Sequence, residues 1–472
     1  MKRLASAFLG LGLLAAACSG ADDAAPAPSN AAASATTTVS PAATEASAPA
    51  TTAAPTTTTA APSTGDAADP DPGRGGNESG TGNEPADDGK KSDADAEPSG
   101  EPDGEPLDLL DAEIGDWMDR TGAPGIVLAI TRGGAEPTTF AWGLSDIATG
   151  TAMTVDHHVR IGSVTKSVTA AVVLQLVSEG AIELDAPVAQ YLGDGWAPGY
   201  EHAAAVTVRD LLGHTSGFVE YAFDPRFYQL AAPRLDEQIA PEEILAFAAE
   251  YGPVSELGTE FHYNTTGYVA AGLLIEAVTG NAAAAELRSR VFEPLGLEHV
   301  YLTPEEFPPS PTANGYVGGT LGYLMGPLLG LSSDNQITHN GAIFADISTF
   351  PDAFARSAGW TGGGIEAQIG DVALMIRGLF ATDILNEEQV AVMTSGHPDP
   401  GNDYGLGIST DAVLGLTIYT HGGGVPGFRT IAAYAPDADL GIALTTNLLG
   451  LEAGDDVDDL LERLAPILAA MA

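Results

Sequence analysis

The sequence predicts an α+β domain with helices flanking an antiparallel sheet, and three observations predict it. The composition changes abruptly near residue 105, strand-like runs lie at both ends of the region that follows, and apolar helical segments fill its middle. Strands at the two ends of a folded region close most simply into one sheet, with the intervening helices packed against it.

The elements follow in order. Asp108–Arg120 carries Leu109, Leu110, Ile114, Trp117 and Met118 at helical spacing. The run 125–131 reads as a buried strand, and 138–144 as its hairpin partner across Gly133-Gly134. Residues 163–179 form a helix with apolar residues over much of its surface, so it is expected to be buried on several sides. Two further apolar helices are read at 268–278 and 372–379, and three β-prone runs at 414–420, 429–434 and 441–446. The apolar, glycine-rich 321–331 is too short to cross a bilayer and reads as a core segment or a lid over the site.

Residues 1–18 read differently. Lys2 and Arg3 precede an apolar run from Leu4 to Ala17, the pattern of a signal peptide. The run ends at Cys18, the chain's one cysteine. Leu14-Ala15-Ala16-Ala17-Cys18 resembles a bacterial lipobox, with Ala15 where leucine is usual. The resemblance implies a lipid anchor on Cys18 and an extracytoplasmic, membrane-tethered enzyme, with plain secretion as the alternative. Residues 19–104 are first rich in Ala, Thr, Pro and Ser, then in Asp, Gly, Glu, Asn and Pro. Such a stretch buries too little apolar surface to offset its ordering entropy, and is read as a disordered tether reaching about 50 Å. The domain of interest is then 105–472.

Charge excludes one class of partner. The formal net charge is -46, from 64 acidic and 18 basic residues. A nucleic-acid partner would need a basic footprint. Neither metal-ligand spacing nor a cofactor motif is seen, so no cofactor is expected.

The chemistry starts at Ser163-Val164-Thr165-Lys166, which puts a hydroxyl and an amine on one face of a helix. Serine is a weak nucleophile until a base takes its proton, and a lysine kept neutral by an apolar pocket is such a base. Lys166 is the only lysine after Lys91, so it is not one of a set of ordinary surface lysines.

With Gly162 to Ser167, the segment Asp210-Leu211-Leu212-Gly213-His214-Thr215-Ser216-Gly217 resembles the serine β-lactamase and D-alanyl-D-alanine carboxypeptidase superfamily, in its class C-like branch. The resemblance spans nearly all of 107–465. It implies the β-lactamase/transpeptidase-like fold with a mostly helical subdomain, and an acyl-enzyme mechanism. His214 is read as structural. The family's Tyr-x-Asn motif falls on Tyr263-Asn264-Thr265, with Tyr263 as base or proton relay. Thr265 takes the asparagine's place and Asn264 sits one residue early, so both are candidates for the asparagine's substrate and lysine contacts. His421-Gly422-Gly423-Gly424 resembles the third motif, with His421 near the serine–tyrosine system or a substrate carboxylate. Gly423 or the backbone near Phe428 is expected to make oxyanion contacts. Arg429 is a candidate for a substrate carboxylate, with a salt-bridging role as its alternative. Gly363-Gly364-Ile365 before Asp371 resembles another family segment, with Ala367-Gln368 replacing Ser-Thr, and reads as a structural cap outside the mechanism.

The substrates implied are a small peptide, a β-lactam or an ester, with peptidoglycan a natural target for a tethered enzyme. The expected activity is a D-alanyl-D-alanine carboxypeptidase or β-lactamase-like hydrolase. An esterase of the same fold and a slowly turning-over penicillin-sensing lipoprotein are the rivals.

Overall fold

A computed structural model describes residues 104–471 apart from 310, 320–321, 323–332, 349, 398–401 and 452–453. The signal peptide, Cys18, the tether up to residue 103 and nearly all of 321–331 lie outside the described residues.

The sheet has seven strands: β1 (Gly125–Arg132), β2 (Thr138–Asp146), β3 (Thr151–Ala152), β4 (Ser409–Val413), β5 (Leu416–Val425), β6 (Phe428–Ala435) and β7 (Leu440–Thr446). Their order is β4-β5-β6-β7-β1-β2-β3, antiparallel throughout. The chain's two ends meet at β1–β7, where Ile126 pairs Thr446 and Arg132 pairs Leu440. Gly133 and Gly134 have φ of 61° and 74°, the left-handed conformation that glycine adopts without strain.

Both faces of β1 are covered, which explains its unbroken apolar run. Val127 and Ala129 join the main core, while Ile126, Leu128 and Ile130 join a second one. That second core is closed by the helix Gly104–Thr121, through Leu110, Ile114 and Trp117, and by the helix Val457–Met471, through Leu460, Leu464 and Leu468. Each such side chain contributes roughly 1.5–3 kcal/mol by leaving water.

The main core is built around the helix Thr165–Ser178, in which eleven of fourteen residues are buried. It packs with Thr266–Thr279 and with the short turn Trp360–Gly363. This helix starts two residues later than the sequence predicts. Ser163 lies in a preceding 3-10 turn, Gly162–Val164, entered through Gly162 at φ +55°. A three-stranded sheet of Val159–Arg160, Ile365–Ala367 and Val300–Leu302 anchors the chain on both sides of the site. It brings the approach to Ser163 beside the segment leaving Gly362.

Candidate active site

The lysine is where the buried-base reading needs it. Lys166 has 0 % exposure, and its Nζ lies 3.0 Å from Ser163 Oγ. Two more oxygens complete its surroundings: Gly362 O at 2.6 Å and Thr265 Oγ1 at 3.2 Å. Burial lowers its pKa from 10.5 to about 7, opposed by the negative charge of Glu220. Near neutrality a substantial fraction of the amine is therefore unprotonated.

Ser163 stands at the mouth of a cleft, against β5. The packing there is backbone on backbone. A Cβ on Gly423 would lie 1.9 Å from Ile161 O, and one on Gly162 would lie 2.8 Å from Gly424 N. Glycine is therefore required on both sides, and Gly424 lines the cleft beside Ser163. Gly423 itself is buried.

Tyr263 is half-buried next to the pair, with its hydroxyl out of contact with solvent and its ring 5.1 Å from Lys166 Nζ. Burial raises its pKa well above the usual phenol value, with Ser163 the nearest influence pulling it down. The hydroxyl faces Ser163 closely enough to feel it but has no well-formed hydrogen bond among the described residues. A phenol held protonated is a proton donor or relay and not a resting base.

The two candidates for the asparagine's place are separated by geometry. Thr265 faces Lys166, whereas Asn264 is fully buried with its amide committed to backbone. Asn264 Nδ2 donates to His262 O at 2.8 Å, and its Oδ1 accepts the Gly267 N–H at 2.8 Å. Asn264 shapes the start of the helix Thr266–Thr279 and is turned away from the lysine.

Arg429 departs from the substrate-carboxylate reading. Its side chain is 4 % exposed and ion-paired to Asp456 at 2.9 Å and to Asp458. It also donates to Gly423 O and Thr430 O. It fastens β6 to the start of the last helix, the salt-bridging alternative.

His421 is buried in a chain of hydrogen bonds whose polarity can be worked out. Its Nδ1 lies 2.6 Å from Gly422 O, which can only accept, so Nδ1 carries the proton. Its Nε2 then accepts from Tyr404 Oη at 3.0 Å. Tyr404 in turn accepts from His214 Nε2 at 3.1 Å, and His214 Nδ1 accepts the Asn264 N–H at 3.3 Å. Burial lowers the pKa of His421 to about 3 and that of His214 well below its ordinary value. Both rings are neutral at pH 7, and neither offers an imidazolium to a substrate carboxylate. His214 sits at φ +60°, unusual for a residue with a side chain, and its ring packs 4.3 Å from that of Tyr263.

Sequence reasoning missed three contributors. Gly362 stands just before the Gly363-Gly364-Ile365 segment read as a cap outside the mechanism, and its carbonyl binds Lys166. Gln368 stands at the N-cap of the helix Ile369–Ala381 without a side-chain capping bond, its amide reaching Asp156 O instead. Tyr404 joins two histidines that are far apart in sequence. Glu220 accepts the Thr265 N–H at 2.8 Å and lies 2.9 Å from Thr265 Oγ1, both at Oε2, while Oε1 accepts the Ala222 N–H at 2.9 Å. Its one sequence signal is its place three residues after Gly217.

Beyond Ser163 the cleft is apolar and aromatic, walled by Phe223, Phe227, Tyr228, Phe350 and Phe354 with Val425 and Pro426. Its open space, mouth included, is about 620 Å³. Arg160 also lines it, 3.9 Å from the buried carboxylate of Glu366. Among the described residues no group of side chains is arranged to hold a metal ion, and no single helix is long and apolar enough to cross a membrane.

Comparisons with known proteins agree on the architecture. The family model for Beta-lactamase matches residues 110–466. Penicillin-binding protein 4 of Amycolatopsis lactamdurans is 35 % identical over 197 residues, covering 40 % of this chain and 49 % of that protein. A D-aminopeptidase of Cereibacter sphaeroides is 25 % identical, covering 72 % of this chain and 60 % of its own length. The chain thus spans about half to three-fifths of these relatives. The crystal structure of a D-stereospecific amidohydrolase from Streptomyces superposes with a TM-score of 0.61 at 26 % identity, covering 76 % of this chain and 97 % of that one.

Proposed function

The chain belongs to the beta-lactamase family and is a serine hydrolase of that superfamily, and we propose that it cleaves an amide bond in a D-configured amino-acid or peptide substrate through an acyl-enzyme on Ser163. The observation that carries the mechanism is the Ser163–Lys166 contact of 3.0 Å, around an amine whose pKa burial lowers to about 7, so that a substantial fraction is unprotonated near neutrality.

The Ser163 Oγ–H proton passes to Lys166 Nζ as Oγ bonds to the substrate carbonyl carbon. The backbone N–H groups of Ser163 and Gly424 receive the oxyanion. Collapse breaks the C–N bond, and the proton leaves Lys166 for the departing amine, relayed by the Tyr263 phenol. Water then repeats the sequence on the ester.

Two observations support the substrate class. Relatives named for D-stereospecific amide chemistry align with most of the domain. The aromatic walls of the cleft suit a bulky apolar side chain. A carboxypeptidase or β-lactamase-like activity keeps the support of the penicillin-binding relative, but Arg429 is ion-paired and His421 neutral, so neither of these two holds a terminal carboxylate. Cys18 carries the lipid anchor in this reading, with the active domain outside the cytoplasm.

The test is a substrate panel on wild type and Ser163→Ala: D-phenylalanine amide, L-phenylalanine amide, a D-alanyl-D-alanine peptide, a fluorescent penicillin and a p-nitrophenyl ester. D-phenylalanine amide turnover that vanishes in Ser163→Ala supports the reading. Ester turnover alone makes the protein an esterase, and a stable penicillin adduct alone makes it a sensor. Activity persisting in Ser163→Ala removes the nucleophile.

A further inference from the structure

Thr265 poses a wiring problem that an asparagine would not. An amide oxygen can only accept, so it fixes which way a neighbouring lysine donates. A threonine hydroxyl can donate or accept, and if it donated to Lys166 it would occupy the lone pair that must take the serine proton.

Glu220 removes that ambiguity. Three hydrogens converge on its carboxylate: the Ala222 N–H on Oε1, and the Thr265 N–H and hydroxyl on Oε2. Burial pushes the Glu220 pKa up, while the charge of Lys166 and these three hydrogen bonds pull it back down; as a carboxylate each oxygen can only accept, and the Thr265 hydrogen must point at Oε2. Thr265 Oγ1 is then left to accept from Lys166 at 3.2 Å. Gly362 O, 2.6 Å from Nζ, can also only accept. A neutral amine has two hydrogens and one lone pair. With the hydrogens given to Gly362 O and Thr265 Oγ1, the lone pair faces Ser163 Oγ.

We propose that Glu220 is a positioning residue that sets the direction of the Thr265 hydroxyl and thereby aims the Lys166 lone pair at Ser163, so that a Glu–Thr pair does the work of an amide. The inference rests on the Ser163–Lys166 reading above. The other titratable groups facing Lys166 are His214, His421 on β5, Tyr263 and, from the helix Thr266–Thr279, Tyr268. Burial keeps all four neutral near pH 7. Glu220 is the group whose charge acts on the lysine, raising its pKa against burial.

Glutamine cannot reproduce the arrangement. With its NH₂ toward Thr265 it loses the acceptor for both the Thr265 N–H and hydroxyl. With its NH₂ toward Ala222 it keeps them only by setting two donors against each other, which pushes the side chain out of place. The experiment measures the rate at which a fluorophosphonate labels Ser163, a reaction that forms O–P, expels fluoride and sends the serine proton to Lys166. It reports nucleophilicity without the natural substrate. In Glu220→Gln the plateau rate is expected to fall on the order of 10- to 100-fold, the lower part of the scale for positioned proton transfer. The acid limb should move to lower pH, because the lysine has lost its anionic neighbour. Thr265→Asn in that background restores an obligate acceptor and should regain much of the loss. Should Glu220→Gln not fold, Thr265→Val, which deletes the hydroxyl at nearly constant shape, should show the slowed labelling.

A wild-type rate in Glu220→Gln overturns the proposal. So does a fall that tracks only the lost folded fraction with the acid limb unmoved, which would make Glu220 merely structural. Absence of wild-type labelling at Ser163 would instead overturn the reading of the site beneath it.

Discussion

Replacing Lys166 by methionine should stabilise the protein in mild acid and destabilise it in alkali, with the sign of the effect reversing between. The lysine pKa falls from 10.5 unfolded to about 7 folded. Between those values the unfolded chain binds more protons, so stability rises with pH. The penalty for a protonated lysine is complete below pH 7 and gone above about 10.5. Its size is about 5 kcal/mol, from roughly 1.4 kcal/mol per tenfold change in proton affinity. Methionine escapes it but leaves Gly362 O without its 2.6 Å partner, which costs about 1–3 kcal/mol. The variant should therefore be more stable than wild type at pH 6 by about 2–4 kcal/mol, and less stable near pH 10.5 by about 1–3 kcal/mol. Urea unfolding followed by tryptophan fluorescence at pH 6, 8 and 10.5 measures the difference. Parallel stability curves, or a variant weaker at every pH, would show that the folded lysine keeps an ordinary pKa and is no base at neutrality.

The same titration predicts that serine acylation rises with pH through about 7, as Lys166 loses its proton; a profile flat from pH 5 to 9 would contradict it. Tyr263→Phe removes a hydroxyl with no described hydrogen-bond partner, so the melting temperature should hardly move while turnover falls on the order of 100-fold; an unchanged rate would make the ring mere packing. Arg429→Met leaves the partly exposed carboxylates of Asp456 and Asp458 without their guanidinium and should cost roughly 1.5–3 kcal/mol of stability, read by urea midpoint. An intact fold with a raised KM for a carboxylate-bearing substrate would restore Arg429 to the site. Cys18→Ala should release the protein from the membrane fraction, and unchanged association would end the lipoprotein reading.

Properties set by chain-local order were legible in the sequence. The strand at 125–131 announced itself because burial on both faces demands an apolar run, that at 441–446 through its β-prone residues, and the Ser163–Lys166 pair because a three-residue spacing across a helix start is one face. Tertiary structure decided what depends on which groups remain unpaired. Asn264 and Thr265 are adjacent, and only the fold shows the amide spent on His262 and Gly267 while the hydroxyl meets Lys166. Arg429 looks available beside a glycine-rich strand until Asp456 and Asp458, nearly thirty residues later, are folded against it. Glu220 had no motif at all. Its role exists because Thr265, 45 residues away, brings a hydroxyl and a backbone N–H to one carboxylate oxygen. A sequence displays which donors and acceptors a chain owns. Which of them already hold one another, and so which are left to act on a substrate, is a property of distances that only the fold creates.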